Sequence, residues 1–173
     1  MKNKIKIGLG GGCHWCTEGI FRSIKGIDNV QQGWISGEPP YHEFSEGIIF
    51  EFDQNIIPLN TVLEIHLLTH SSTSSHTLRT KYRSAIYIFK DSHYEPVAAG
   101  LRQLSINLNK DFITKIIKFK KFKLNKEEQL NYFFTRPQAP FCKTYIIPKL
   151  QMLLSSHRHF MDSKSLKIIE DEK

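Results

Sequence analysis

Apolar and polar residues alternate over residues 4–9, with Ile5, Ile7 and Leu9 on one side of the chain and Lys4, Lys6 and Gly8 on the other. That two-residue period is the mark of a half-buried strand. Beyond a run of glycines the period changes, and Ile20, Phe21 and Ile24 recur at helical spacing before Gly26, a residue suited to a helix C-terminus. Residues 30–37 read as a short strand ended by the Pro39-Pro40 pair, and residues 46–53 as a second strand. Pro58 opens a helix carried by Leu59, Val62, Leu63, Ile65, His66 and Leu67 towards His70, and the polar stretch 71–77 follows as a loop. Residues 83–89 form a further strand. Residues 96–108 form an amphipathic helix with Val97, Leu101, Leu104 and Leu108 on one side, and residues 115–123 a strand in which lysines alternate with apolar residues. A short helix over 127–134 and a closing helix over 146–156, with Pro148 in its first turn, complete the pattern.

The order β-α-β-β-α-β-α-β predicts an α+β fold: a two-layer sandwich in which helices pack on a mixed sheet with a ferredoxin-like core, followed by a loop-rich C-terminal third. A single domain over residues 1–160 and a mixed-charge, frayed tail over 161–173 are expected.

The turn between the first strand and the first helix is Gly10-Gly11-Gly12-Cys13-His14-Trp15-Cys16. It places Cys13 where the helix begins, facing free N–H groups and the positive end of the helix dipole. Both lower a thiol pKa and favour the nucleophilic thiolate. Cys16 follows on the same face one turn later, within reach of a disulfide with Cys13.

Composition narrows the partners. A net charge of +7 over 173 residues invites a nucleic-acid reading, yet much of the excess lies in the strand over 115–123. Lysines there serve to keep a sheet edge solvated and unpaired, so no nucleic-acid partner is expected. No stretch approaches a membrane span of roughly 18 apolar residues. No apolar leader follows the N-terminal lysines, so a soluble, cytoplasmic protein is expected; a monomer is expected as well. Three cysteines without such a leader point to free or catalytic thiols rather than a disulfide framework. A zinc site built on His14 and the two neighbouring cysteines would need a second ligand pair, which the spacing does not offer, so no metal is expected.

Gly12-Cys13-His14-Trp15-Cys16-Thr17-Glu18 resembles the Gly-Cys-Phe-Trp signature of the peptide methionine sulfoxide reductase A family. The resemblance continues through Gly33-Trp34-Ile35-Ser36-Gly37, the Pro39-Pro40-Tyr41 turn, and Glu43-Phe44-Ser45-Glu46, which sets Glu46 on the family's catalytic glutamate. Thr80-Lys81-Tyr82-Arg83-Ser84-Ala85-Ile86-Tyr87 is similar to the family's Gly-Thr-Gln-Tyr-Arg-Ser-Ala-Ile-Tyr, and Pro140-Phe141-Cys142 with Ile146-Ile147-Pro148-Lys149 to its C-terminal motif. Departures fall at His14 in place of Phe, Trp34 in place of a tyrosine, and Thr77 in place of an aspartate.

The resemblance implies reduction of methionine-S-sulfoxide, free or in proteins, with no bound cofactor and a thioredoxin-type dithiol as reductant. Cys13 would attack, Glu46 would protonate the leaving oxygen, and Tyr82 would orient it. Trp15 would seat the methyl group beside His14, Trp34 and Tyr41. The resulting sulfenic acid would be resolved by Cys16, with Cys142 as the alternative. Two other readings stay open: a thiol-disulfide oxidoreductase using Cys13 and Cys16, and a non-catalytic relative acting as a binding module.

Overall fold

The computed structural model describes residues 4–171. Five strands, β1 (Lys4–Gly10), β2 (Ile27–Gly37), β3 (Ser45–Asp53), β4 (Ala85–Ile88) and β5 (Lys115–Leu124), form one sheet. Six helices surround it: α1 (His14–Arg22), α2 (Leu59–Thr69), α3 (Tyr94–Leu108), α4 (Tyr132–Thr135), α5 (Ile147–His157) and α6 (Ser163–Glu170). The α+β class and the mixed sheet agree with the pattern of the sequence. The open two-layer sandwich does not.

The strands instead close into a barrel in the order β1-β3-β2-β5-β4. All ladders are antiparallel except β4 with β5. The cause is β5, whose first half pairs with β4 from Lys115 to Lys118 and whose second half pairs with β2 from Phe119 to Leu124. The lysine-rich strand is therefore the closing stave of the barrel and not a protected edge. Its backbone satisfies the two free edges that an open sheet would have left to water.

Alternation decides which residues fill the barrel and which meet the helices. Ile49, Ala85, Tyr87, Ile117 and Ile35 form the inner cluster, while Ile48, Phe50, Phe52, Ile86, Ile7 and Leu9 face α1, α2 and α5 in the larger core. So few staves leave little interior room. A Cβ on Gly8 would lie 2.6 Å from Ile35 Cδ1, and one on Gly47 would lie 2.6 Å from Ile35 Cγ2. Glycine at these inward positions lets the isoleucine fill the axis.

The expected frayed tail is a packed helix. Asp162 caps α6 by accepting from the Ser165 N–H at 3.0 Å, and Met161 and Ile169 are fully buried. Backbone bonds from Asp162 N to Ser23 O and from Lys25 N to Phe160 O staple this segment to the loop after α1. Charged residues cover the outer face of α6, which masks its apolar stripe in the composition. The last two positions of that expectation, 172 and 173, lie outside the described residues.

Candidate active site

Topology alone brings three of the candidate residues together. β1 lies between β3 and β4 and runs antiparallel to both, with Gly10 opposite Gly47 on one side and Ala85 on the other. The end of β1 therefore meets the beginnings of its two neighbours. Cys13 follows β1, Glu46 is the second residue of β3 and Tyr82 precedes β4. Backbone and side-chain bonds lock the junction: Glu46 N donates to Lys81 O at 2.8 Å, and Ser45 Oγ bridges Lys81 O and Arg83 N at 2.8 Å each.

Cys13 is the N-cap residue of α1 and is half-buried. Its thiol pKa is lowered to about 4. The largest cause is a hydrogen bond donated by the Cys16 thiol. Burial opposes the shift, and His14 and the backbone N–H groups of Trp15 and Cys16 add to it. The Cys16 thiol moves the opposite way, pushed up first by donating to Cys13 and then by burial. One sulfur is thus ionised because its neighbour keeps a proton. The sequence reading credited the helix terminus; the structure adds Cys16 as the principal donor.

Glu46 is 4% exposed. The two-residue period puts it on the same face of β3 as Ile48 and Phe50, the face on which α1 packs. Its Oε2 accepts the first free N–H of the helix, from His14, at 3.0 Å. His14 Nδ1 lies 3.2 Å from the same oxygen but outside hydrogen-bonding geometry. Lys81 Nζ holds Oε1 at 3.3 Å and sits 5.1 Å above the Tyr82 ring. The lysine pKa is raised, chiefly by its hydrogen bond with Tyr82 and then by Glu46.

A cleft of about 470 Å³ opens at this junction, lined by Gly12, Cys13, His70, Tyr82 and Lys149 among others. Its floor is kept neutral. His70 Nδ1 faces the His66 carbonyl at 2.5 Å, and a carbonyl only accepts, so Nδ1 carries the proton; Nε2 then accepts from Ser84 Oγ at 2.8 Å. Burial lowers the His70 pKa to about 4, and burial also lowers that of His66, whose ring stacks on it at 4.2 Å. Gly11, at φ +154°, is a glycine by necessity, because a Cβ there would fall within 2.9 Å of three His70 ring atoms.

The remaining candidates separate into two groups. Trp15 and Trp34 flank His14, at 6.3 Å and 5.9 Å between ring centroids, so an aromatic wall stands beside Cys13. Trp34 lies directly across the β2–β3 ladder from Glu46, but its indole N–H is committed to Asn125 Oδ1 at 3.1 Å. Tyr41 and Cys142 stand apart from the cleft. Tyr41 packs on the inner barrel cluster beside Arg83 and Lys115. Cys142 is fully buried in a π-helical turn leading into α5, and burial pushes its pKa up.

Two participants escaped the sequence reading. Tyr132 stacks on Trp15 at 4.4 Å with rings 8° apart, and Lys81 clamps Glu46. The aromatic run Tyr132-Phe133-Phe134 was the available signal for the first. Nothing in the sequence marks Lys81 among the 24 lysines and arginines.

A small α+β barrel that sets an ionised cysteine beside a buried carboxyl and a second thiol is built for thiol-dependent redox chemistry. Comparison with known proteins narrows the class. A sequence model described as "Peptide methionine sulfoxide reductase" matches residues 5–161. The peptide methionine sulfoxide reductase MsrA of Psychrobacter sp. (strain PRwf-1) is 28% identical over 168 residues, covering 88% of this chain and 96% of that protein. Among solved structures, reduced Mxr1 from Saccharomyces cerevisiae superposes with a TM-score of 0.69 at 21% identity, covering 83% of this chain and 91% of that one. Mxr1 solved in complex with Trx2 superposes at 0.59 with 20% identity, covering 73% and 84%. The chain belongs to the peptide methionine sulfoxide reductase family.

Proposed function

We propose that this protein reduces methionine-S-sulfoxide, free or in proteins, to methionine, and that a thioredoxin-type dithiol restores it. The observation that carries this reading is the convergence of a depressed-pKa Cys13, Glu46 and Tyr82 at one junction beside an open cleft. The Cys13 thiolate attacks the sulfoxide sulfur while Glu46 gives its proton to the oxygen, which Tyr82 orients. The oxygen passes to Cys13 as a sulfenic acid and methionine leaves as the thioether. Cys16 then condenses with the sulfenic acid, forming a disulfide and releasing water, and an external dithiol reduces that disulfide.

Cys16 resolves because its thiol already hydrogen-bonds the Cys13 sulfur, whereas Cys142 is fully buried and is not among the groups that act on Cys13. Trp15 and His14 supply the apolar wall for the S-methyl group, with Trp34 behind them. No described helix is long and apolar enough to cross a membrane. A cytoplasmic monomer of one domain that includes α6, with no resident cofactor, completes the proposal.

A stereochemically resolved sulfoxide assay with dithiothreitol and with thioredoxin tests it. Cys13→Ser abolishes turnover, Cys16→Ser abolishes only the thioredoxin-supported turnover, and Cys142→Ser keeps both. A wild type that reduces neither epimer refutes the reading.

The shared proton between Cys13 and Cys16 also fits a thiol-disulfide oxidoreductase. Glu46→Ala separates the two, since disulfide exchange does not need the carboxyl and sulfoxide reduction does. A binding module without catalysis predicts a Cys13 pKa near the free value of about 8.5, which the hydrogen bond from Cys16 opposes.

A further inference from the structure

His14, where the family resemblance leads one to expect phenylalanine, changes what the junction can hold. The Cys13 sulfur, one His14 ring nitrogen and one Glu46 oxygen all lie within 4.8 Å of one another. His14 is only 9% exposed, and its Nδ1 is buried without a hydrogen-bond partner. That nitrogen lies 3.2 Å from Glu46 Oε2, off the line of a hydrogen bond to it. A buried, unpartnered nitrogen is a standing cost that an added ligand would remove.

The geometry points to a three-ligand site for a zinc-class divalent cation, built from Cys13 Sγ, His14 Nδ1 and Glu46 Oε2, whose occupancy silences the nucleophile. Thiolate, imidazole and carboxylate are the mixed donor set of zinc. Bond lengths of about 2.0–2.3 Å place tetrahedral donors about 3.4–3.7 Å apart. The donors here need shifts of about an ångström or less to meet that spacing. Glu46 is already divided for the task, because Lys81 holds Oε1 and leaves Oε2 towards the histidine. Lys81 is half-exposed and turns to solvent as the cation arrives.

Binding consumes the thiolate lone pair that sulfoxide reduction requires and ties down the proton donor. The cation is therefore a reversible brake and takes no part in turnover. Silencing rests on the proposed reading of Cys13 as nucleophile; the binding itself does not.

The test uses full-length protein, reduced and freed of thiol under anaerobic conditions, titrated with Co2+ alone. Thiolate-to-cobalt charge-transfer absorbance saturating at one equivalent, and displaced by Zn2+, is expected. Zn2+ affinity, measured by competition with a chromogenic chelator, falls at least tenfold in each of Cys13→Ser, His14→Phe and Glu46→Gln and stays within threefold of wild type in Cys142→Ser. X-ray absorption of the Zn2+ adduct of the wild type shows one sulfur ligand, which keeps the proposal testable if a variant fails to fold. Absence of the charge-transfer band, two sulfur ligands, or full affinity in both His14→Phe and Glu46→Gln overturns the site. A protein that binds with these losses but reduces no sulfoxide upholds the site and overturns only the reductase reading.

Discussion

The ionised state of Cys13 is measurable through its alkylation. With a pKa of about 4, the thiol is almost wholly thiolate at pH 6. A free cysteine, at about 8.5, is then ionised to roughly 0.3%. The low pKa also weakens the sulfur as a nucleophile. With a Brønsted slope of about 0.4–0.5, a depression of roughly 4.5 units makes the thiolate about 100-fold less reactive. Absolute rates therefore mislead, and the shape of the pH profile decides. Iodoacetamide labelling at Cys13, located by fragment mass spectrometry, is expected to hold a constant rate from pH 9 to about 5 and halve near pH 4. Cys16→Ala removes the first cause of the depression. A hydrogen bond to a charged group contributes about 1.5–3 kcal/mol, so the midpoint rises by roughly 1–2 units, to between about 5 and 6. A wild-type midpoint near 8, or an unmoved midpoint in Cys16→Ala, refutes the account of how this sulfur is charged.

Three further outcomes follow from the packing of the cleft and of α6. His70 stays neutral in the fold to about pH 4 while its unfolded value is near 6.5, so the unfolded chain binds the extra proton between these limits. Stability present above pH 6.5 is thus lost as pH falls to about 4, by about 3 kcal/mol, with His66 acting in the same direction; equal urea midpoints at pH 7.5 and 5 would contradict this. Gly11→Ala forces a Cβ into the His70 ring at a strained φ and is expected to cost roughly 1–3 kcal/mol and most turnover, read by thermal melting beside the sulfoxide assay; a variant with wild-type melting and rate would show that the turn is not constrained. Ile169→Ala removes a fully buried anchor of α6 and should cost about 2–4 kcal/mol by urea unfolding, whereas a frayed segment would lose nothing.

Local signals carried much of the site. The triple glycine followed by Cys13 and Cys16 told where a helix begins, because a strand period ends and a helical period starts on either side of it, and a cysteine at that boundary meets unpaired N–H groups whatever the rest of the chain does. Glu46 was legible only through the likeness of Glu43-Phe44-Ser45-Glu46 to a family motif. As a lone carboxylate at a strand start, it carries no mark of burial. Lys81 and Tyr132 were not legible at all, since each acquires its role from a partner 35 and 117 residues away in the chain.

The sequence by itself determined the five strands and the larger helices up to α5, and where the reactive sulfur sits, since both follow from side-chain periods and turn chemistry acting within a dozen residues. Tertiary structure alone decided that β5 closes the sheet into a barrel, that residues 163–170 fold back as a buried helix, and that Glu46, held by Lys81, is brought to the helix end beside Cys13. Pairing of distant edges and the exclusion of water depend on what the rest of the chain brings alongside. No local pattern encodes them, because the free energy of each is set by the partner it meets.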